Sequence, residues 1–130
     1  MRVVYACDDN YTSLTTISAV SVLKHNPKTE IILLGCNLKD ESIRAIKERI
    51  EKHNGKFRYV DVSAKINELR SSGAEAYVSY AVYSRIFISE LLPDISDTVL
   101  YLDSDTLIVD SIAELFATEL NGQPLALAPD

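Results

Sequence analysis

Four short apolar runs, "RVVYAC" (2–7), "EIILLGC" (30–36), "FRYVDV" (57–62) and "TVLYLD" (98–103), are separated by stretches long enough to hold helices. Runs of this kind, rich in Val, Ile, Leu and Tyr, belong to strands buried on both sides. Parallel strands cannot be joined by a tight turn; they need a crossover of a dozen or more residues, usually a helix. The alternation therefore restricts the chain to an α/β class, a mostly parallel sheet with helices on both faces. With 130 residues, no internal repeat and no linker, the chain is taken as a single domain, 1–130.

The intervening segments supply the helices. Leu14, Ile17, Val20 and Val22-Leu23 recur at helical spacing before Asn26-Pro27. "KDESIRAIKERIEKHNGK" is the clearest helix: Asp40 is its expected cap, Ile43, Ile46 and Ile50 mark one face, Glu48 and Lys52 pair at i,i+4, and Asn54-Gly55 stops it. Residues 63–78 suggest a short helix and then a loop around Ser71-Ser72-Gly73. "SYAVYSRIFISELLPD" places Tyr80, Tyr83, Ile86, Phe87, Leu91 and Leu92 on a broad apolar helical face closed by Pro93. "TLIV" (106–109) suggests a fifth short strand, and "DSIAELFATEL" a short helix capped by Asp110 or Ser111. "PLALAP" suggests the start of another strand. The sequence stops at Pro129-Asp130 as that run closes, the pattern of a fragment of a longer protein; a complete small domain is the alternative.

Composition narrows the function classes. Hydrophobic residues make up 47% and charged residues 25%, an ordinary globular balance. No apolar run approaches the ~18 residues of a membrane helix. The run before Asp8 and Asp9 is too short for a signal peptide, so a cytoplasmic location is the expectation. Cys7 and Cys36 sit in strand-like runs and suit packed, reduced thiols, with a disulfide open if the strands are neighbours. Residues 1–65 hold 11 basic and 8 acidic side chains, a net of +3, whereas residues 66–130 hold 2 and 11, a net of −9. A basic nucleic-acid-binding face is disfavoured. The acids of the second half form either a solvated surface or, in part, the surroundings of a divalent cation.

Two strand ends carry acids: Asp8-Asp9-Asn10 after the first and Asp103-Ser104-Asp105 after the fourth. Ligands of open α/β sheets gather beyond the carboxyl ends of strands. If Asp103 and Asp105 stay extended, their side chains leave one face with Cα atoms roughly 6–7 Å apart, a spacing that suits one hard cation such as Mg²⁺ or Mn²⁺. Such an ion would relieve the repulsion between the acids and bridge them to an anionic diphosphate, which Arg85 could also contact. A turn is the plainer alternative for both acid pairs, since Asp is common where strands end. Asn10 and Tyr11 offer an amide and an aromatic face for a heterocycle, and ordinary packing would explain them equally well.

Three segments, "VVYACDDNYTSLTTISAVSVLKHNP", "SYAVYSRIFISELLPD" and "VLYLDSDTLIVDSIAELF", resemble in order and spacing glycosyltransferase family 8, the group that includes glycogenin and bacterial lipopolysaccharide galactosyl- and glucosyltransferases. The similarity runs across essentially the whole chain. It implies a GT-A fold and transfer of a hexose from UDP-galactose or UDP-glucose, with Mn²⁺ or Mg²⁺ and retention of anomeric configuration. By position, it implies a uridine-binding loop of Ala6, Asp8, Asn10 and Tyr11, with Tyr11 stacked on the base. Arg85 would meet the donor's sugar and diphosphate, Asp103 and Asp105 would hold the metal with Ser104 lining the nucleotide, and Asp130 would face the sugar hydroxyls. Family members continue further. The resemblance places their histidine metal ligand, the residues nearest the anomeric carbon and much of the site for a glycan or lipopolysaccharide acceptor beyond Asp130. His25 and His53 do not match that ligand. The chain alone is therefore expected to bind nucleotide and metal weakly and to transfer little sugar. A truncated sheet would favour self-association through its exposed edge, and the full-length protein could lie peripherally at the inner face of the membrane.

Two rivals share parts of the pattern. A phosphoacceptor receiver domain has an acidic pair after its first strand, but it needs a lysine near its last strand, and none follows Lys65. A haloacid-dehalogenase phosphatase has a DxD at a strand end, but it opens the fold and precedes Gly-Thr, where Thr106-Leu107 stands here.

Overall fold

The computed structural model describes residues 1–71 and 80–127. β1 (Arg2–Asp8), α1 (Thr12–His25), β2 (Glu30–Cys36), α2 (Asp40–Lys52), β3 (Lys56–Asp61) and α3 (Ser63–Ser71) follow in strict alternation. A 3₁₀ helix (Tyr80–Phe87) then runs into α4 (Ile88–Leu91), β4 (Leu100–Tyr101) and α5 (Ala113–Phe116). The four strands form one sheet in the order β3-β2-β1-β4, every pairing parallel. The expected α/β layering holds.

The strand period divides the core into two layers. Val3, Tyr5 and Cys7 of β1 with Ile31 and Leu33 of β2 pack under Ala19, Val22 and Leu23 of α1 and Ile46 and Ile50 of α2. Val4, Ala6, Ile32, Leu34 and Cys36 face the other way, against Val62, Ile66, Ala81 and Leu92. Register also settles the cysteines. Cys7 lies opposite Gly35 and Cys36 opposite Asp8, so the two thiols leave opposite faces of the sheet and both are free.

Helix ends depart from expectation in detail. Lys39, not Asp40, occupies the N-cap of α2; Asp9 supplies an acceptor there, taking the Lys39 N–H at 3.3 Å and the Ser42 hydroxyl at 2.7 Å. The i,i+4 pair on this helix is Lys47–Glu51 at 3.9 Å rather than Glu48–Lys52. At its far end Asn54 adopts φ 60° and the Gly55 N–H reaches back to the Ile50 carbonyl at 3.1 Å. A methyl on Gly55 would lie 2.6 Å from Leu23 Cδ1 and 2.8 Å from Ile50 Cγ2, both in the core.

On α1 the buried residues are Thr15, Ser18, Ala19, Ser21, Val22 and Leu23, while Leu14 and Ile17 are 44% and 59% exposed. The expected face was offset because hydroxyl residues took the inward positions. Of the expected helix, Tyr80–Phe87 winds as 3₁₀ and only Ile88–Leu91 as α-helix. With three residues per turn, Ala81 and Ser84 align toward the sheet and Ile86 is left outside. β4 is shorter than "TVLYLD" because it bonds only to β1 and leaves the ladder after Leu102. "TLIV" is not a strand; Ile108 packs inward while Leu107 and Val109 lie exposed. Nor is 124–127, where Leu125 and Leu127 are solvated. α5 spans only Ala113–Phe116 with Ile112 at its N-cap; Ser111 Oγ accepts the Ala113 N–H, and Asp110 accepts that of Ser111. Part of the loop at Ser71-Ser72-Gly73, the end of "PLALAP" and Asp130 lie outside the described residues.

The charge asymmetry along the chain resolves into pairing across it. Arg2 meets Asp97 at 2.6 Å and Glu30 at 3.1 Å, Arg58 grips Asp94 with two bonds of 2.7 and 2.8 Å, and Lys65 meets Glu90 at 2.7 Å. The basic first half thereby pairs with the acidic 90–97 segment across the fold, through contacts that solvent screens.

Two outcomes follow. Gly55→Ala should destabilise the protein by about 1–3 kcal/mol through overpacking, read as a lower urea midpoint; an unchanged midpoint would show that Leu23 and Ile50 move aside freely. Burial pushes the Tyr5 phenol up to about 12 and the Cys7 thiol up to about 11. In the unfolded chain these groups ionise near pH 10 and 8.5, so the unfolded state releases protons first and stability falls as pH rises. The urea midpoint should hold to about pH 8 and decline from about pH 9 to 11, with Cys7→Ala removing the earlier part of the decline.

Candidate functional site

β1 is the point where the sheet reverses direction. The chain builds outward from it through β2 to β3, then returns to add β4 on its other side. The segments leaving β1 and β4 emerge side by side at the carboxyl end of the sheet, the usual ligand end of such sheets, and the one after β4 packs along α1 on the same face. The acidic segments follow these two strands. The order 3-2-1-4 also separates the fold from the receiver rival, whose order is 2-1-3-4-5.

The structure corrects the local geometry of the second acidic segment. Asp103 to Thr106 is a turn, not an extension of β4: the Asp103 carbonyl accepts the Thr106 N–H at 3.2 Å and the Thr106 hydroxyl at 2.8 Å. The turn is pinned to β1. The Leu102 N–H donates to the Val4 carbonyl at 3.0 Å, and the Ser104 hydroxyl lies 3.4 Å from the Ala6 carbonyl and 2.9 Å from the Thr15 hydroxyl. Ser104 is 8% exposed, whereas Asp103 and Asp105 on either side of it face solvent. The Ser104 side chain is thus bonded to the scaffold beneath the turn.

Arg85 comes from the 3₁₀ helix to the same place. Its Nη1 stands 3.9 Å from Asp103 Oδ1 and its guanidinium carbon 5.9 Å from the centre of the Tyr101 ring. Burial and then the charge of Asp103 push the Tyr101 phenol up to about 12, so it remains a neutral, protonated neighbour of the acids.

The loop after β1 divides its acids between two duties. Asp8 Oδ1 accepts the Asn10 N–H at 3.0 Å and caps the 3₁₀ turn Asp9–Tyr11. Asp9 turns to α2, where the Ser42 hydroxyl, the Lys39 N–H and the Lys39 ammonium hold its carboxyl below the usual range. Asn10 is exposed, and the Tyr11 ring is 45% exposed at the mouth of α1. Ala6 is buried and reaches the site through its carbonyl.

The donor set suits a hard divalent cation. Asp103 and Asp105 present carboxylate oxygens to solvent from one short turn, and among the described residues the Asp105 carboxylate makes no ion pair or hydrogen bond. Among the described residues no group of three or more His, Cys, Asp or Glu is placed to hold a metal ion, so these acids would supply two ligands and leave positions open. The expected contact of Asp130 lies outside the described residues.

Residues on α1 that the apolar spacing passed over complete the site's support. Thr15 faces Ser104, Ser18 faces Thr106 at 3.1 Å, Ser21 accepts the Ile108 N–H at 2.9 Å, and Asn26 Oδ1 accepts the Ile112 N–H at 3.0 Å. The signal was present as small hydroxyl residues three apart in "TSLTTISAVS" opposite Ser104 and Thr106 two apart.

Comparison with known proteins agrees with this geometry. The model of "Glycosyl transferase family 8" matches residues 2–130. The glycosyltransferase GlyF of Streptococcus pneumoniae is 30% identical over 128 residues, 98% of this chain and 31% of its own length. The probable galacturonosyltransferase-like 4 of Arabidopsis thaliana is 26% identical over 134 residues, covering 100% of this chain and 38% of itself. Among solved structures, the galactosyltransferase LgtC in complex with donor and acceptor sugar analogues superposes with a TM-score of 0.78 at 28% identity, over 92% of this chain and 43% of that one. The chain thus spans less than half the length of these relatives. Topology, the paired strand-end loops and a family match over nearly every residue converge: the chain belongs to glycosyltransferase family 8 and has the α/β fold of the GT-A glycosyltransferases.

Proposed function

We propose that this chain is the donor-binding part of a retaining transferase that moves a hexose from UDP-galactose or UDP-glucose to a glycan or lipopolysaccharide acceptor. One observation carries the reading: the reversal of strand order at β1 sets the Asp8–Tyr11 loop beside the Asp103–Asp105 turn, with Ser104 bonded to the backbone of β1. The open Tyr11 ring suits stacking against uracil, with Asp8 and Asn10 beside it for polar contacts. Asp103 and Asp105 would hold Mn²⁺ or Mg²⁺, and the bound ion supplies positive charge to the diphosphate. Arg85 is placed to exchange its long contact with Asp103 for the same anion. Asp130 remains the proposed contact to the sugar hydroxyls.

Association and location follow the same limits. No helix among the described residues is long and apolar enough to cross a membrane. Peripheral association of a full-length protein with the inner face of a membrane is part of the proposal. Leu14, Ile17, Leu107 and Val109 are large apolar residues left exposed, which supports self-association of the isolated chain.

Calorimetric titration with UDP, with and without Mn²⁺, tests the reading. Binding should require the ion and prefer uridine over adenosine diphosphate; Mn²⁺-independent binding without base preference would refute it. Asp105→Asn should remove the Mn²⁺ dependence while leaving the urea midpoint near that of the parent. Arg85→Gln should separate the two charges: Mn²⁺ binding alone at least as tight as in the parent, and UDP binding in the presence of Mn²⁺ weaker by about ten-fold, the size of a lost charge-assisted contact.

A further inference from the structure

Proton bookkeeping in the hydroxyl network gives it a direction. A carbonyl oxygen only accepts, so the Thr106 hydroxyl, 2.8 Å from the Asp103 carbonyl, must donate there. Its oxygen then accepts from Ser18 at 3.1 Å, and the Ser18 oxygen accepts from the Tyr5 phenol at 2.8 Å. Three donors meet three acceptors in one line, from the fully buried core of β1 to the backbone of the acidic turn. The phenol is locked as the donor at its head, since burial keeps it protonated far above neutral pH.

A second line runs beside it and is frustrated. Thr15 and Ser104 hold two hydroxyl protons for three contacts: Thr15 to the Tyr11 carbonyl at 2.9 Å, Thr15 to Ser104 at 2.9 Å, and Ser104 to the Ala6 carbonyl at 3.4 Å. Thr15 donates to Ser104 and Ser104 to the Ala6 carbonyl, so the Thr15–Tyr11 contact has to compete for the single Thr15 proton. The Tyr5 line is therefore the fully satisfied one, and it ends on the peptide that carries Asp103.

Both acids of the turn are exposed; among the described residues the ion pair there, Arg85 to Asp103, is 3.9 Å long, and the Tyr101 phenol also meets the Asp103 carboxyl. These side-chain contacts reach Asp103 and leave Asp105 unheld. Neutral hydroxyl bonds from beneath are the alternative, and they leave the acidic charge unspent for a ligand.

Resting on the cation-site reading above, we propose that Tyr5, Ser18 and Thr106 are positioning residues for the metal: their hydroxyl line fixes the Asp103–Thr106 turn so that Asp103 and Asp105 meet one divalent ion. None of the three is expected to touch the ion.

Mn²⁺ affinity, measured by the loss of the free-ion electron paramagnetic resonance signal, tests this alongside the melting temperature. Thr106 is only half-buried, so Thr106→Val should fold. It should weaken Mn²⁺ binding about five-fold, the size expected for one lost hydrogen bond, and Thr106→Ser should restore affinity to within about two-fold. Tyr5→Phe, at the far end of the line, should weaken binding in the same direction. If Thr106→Val lowers the melting temperature but leaves Mn²⁺ affinity unchanged, the line is only structural and the proposal fails. Equal weakness of Thr106→Ser and Thr106→Val would also overturn it, since shape rather than the hydroxyl would then matter. Asp105→Asn separates this failure from that of the site. Lost Mn²⁺ binding there with an unaffected Thr106→Val defeats the hydroxyl line alone, whereas undiminished binding in Asp105→Asn defeats both.

Discussion

Everything in this fold depends on β1 being bonded along both edges and buried on both faces. Its residues pair in parallel with β2 over their whole length and with β4 at Val3 and Val4, while Val3, Val4 and Tyr5 are fully buried. A strand so enclosed cannot shift register, because a slip of one residue would exchange its two core faces. The loop that leaves it at Asp8 and the turn that lies against it at Ser104 are therefore positioned by the most constrained element of the molecule. Functional loops on a rigid strand end need little order of their own.

The coarse fold was legible because its signals are additive over many residues. Four apolar runs with helical spacers allow few arrangements other than a parallel sheet, and α2 was unmistakable from Ile46, Ile50 and the Asn54-Gly55 stop. What the sequence hid were choices made by tertiary context. The inner face of α1 could not be found from apolar periodicity, because it approaches not a greasy sheet alone but the backbone of 104–112, whose polar groups require partners. Leu14 and Ile17 were displaced outward for that reason. The 3₁₀ winding of Tyr80–Phe87 likewise escaped a search for period 3.6, and with it the exposure of Ile86. Strand order was invisible too, since composition says nothing of which side of β1 receives β4.

The candidate site shows the same division. Asp103, Asp105 and Arg85 were apparent as acids at a strand end and a rare cation in an acidic half, and the structure brings Arg85 to Asp103. Asp8 and Asp9 looked equivalent as an acidic pair, and only the family resemblance singled out Asp8; in the structure Asp9 is spent on the N-terminus of α2, where an anion is favoured by the free N–H groups and the helix dipole. The acidic excess of the second half likewise divides. Glu90, Asp94 and Asp97 are neutralised by Lys65, Arg58 and Arg2, whereas Asp103 and Asp105 are left for other use. Net charge alone could not have separated these groups.

The proposed cation site would face a conflict that this arrangement resolves. Carboxylates held by strong ion pairs would be well positioned but already neutralised, and an incoming ion would have to displace their partners. Carboxylates held by nothing would have to be ordered by the ion, at a cost in conformational entropy of order 1 kcal/mol or more for each residue fixed. Hydrogen bonds to the main chain avoid both penalties. The Leu102 N–H and the Ser104 hydroxyl bond to β1 and α1, and the Asp103 carbonyl takes the hydroxyl of Thr106, itself bonded to Ser18 of α1, while the carboxylates themselves stay exposed. Order is imposed through the backbone and charge is kept on the side chains. That separation explains why so many hydroxyl groups converge beneath two acids that they do not neutralise.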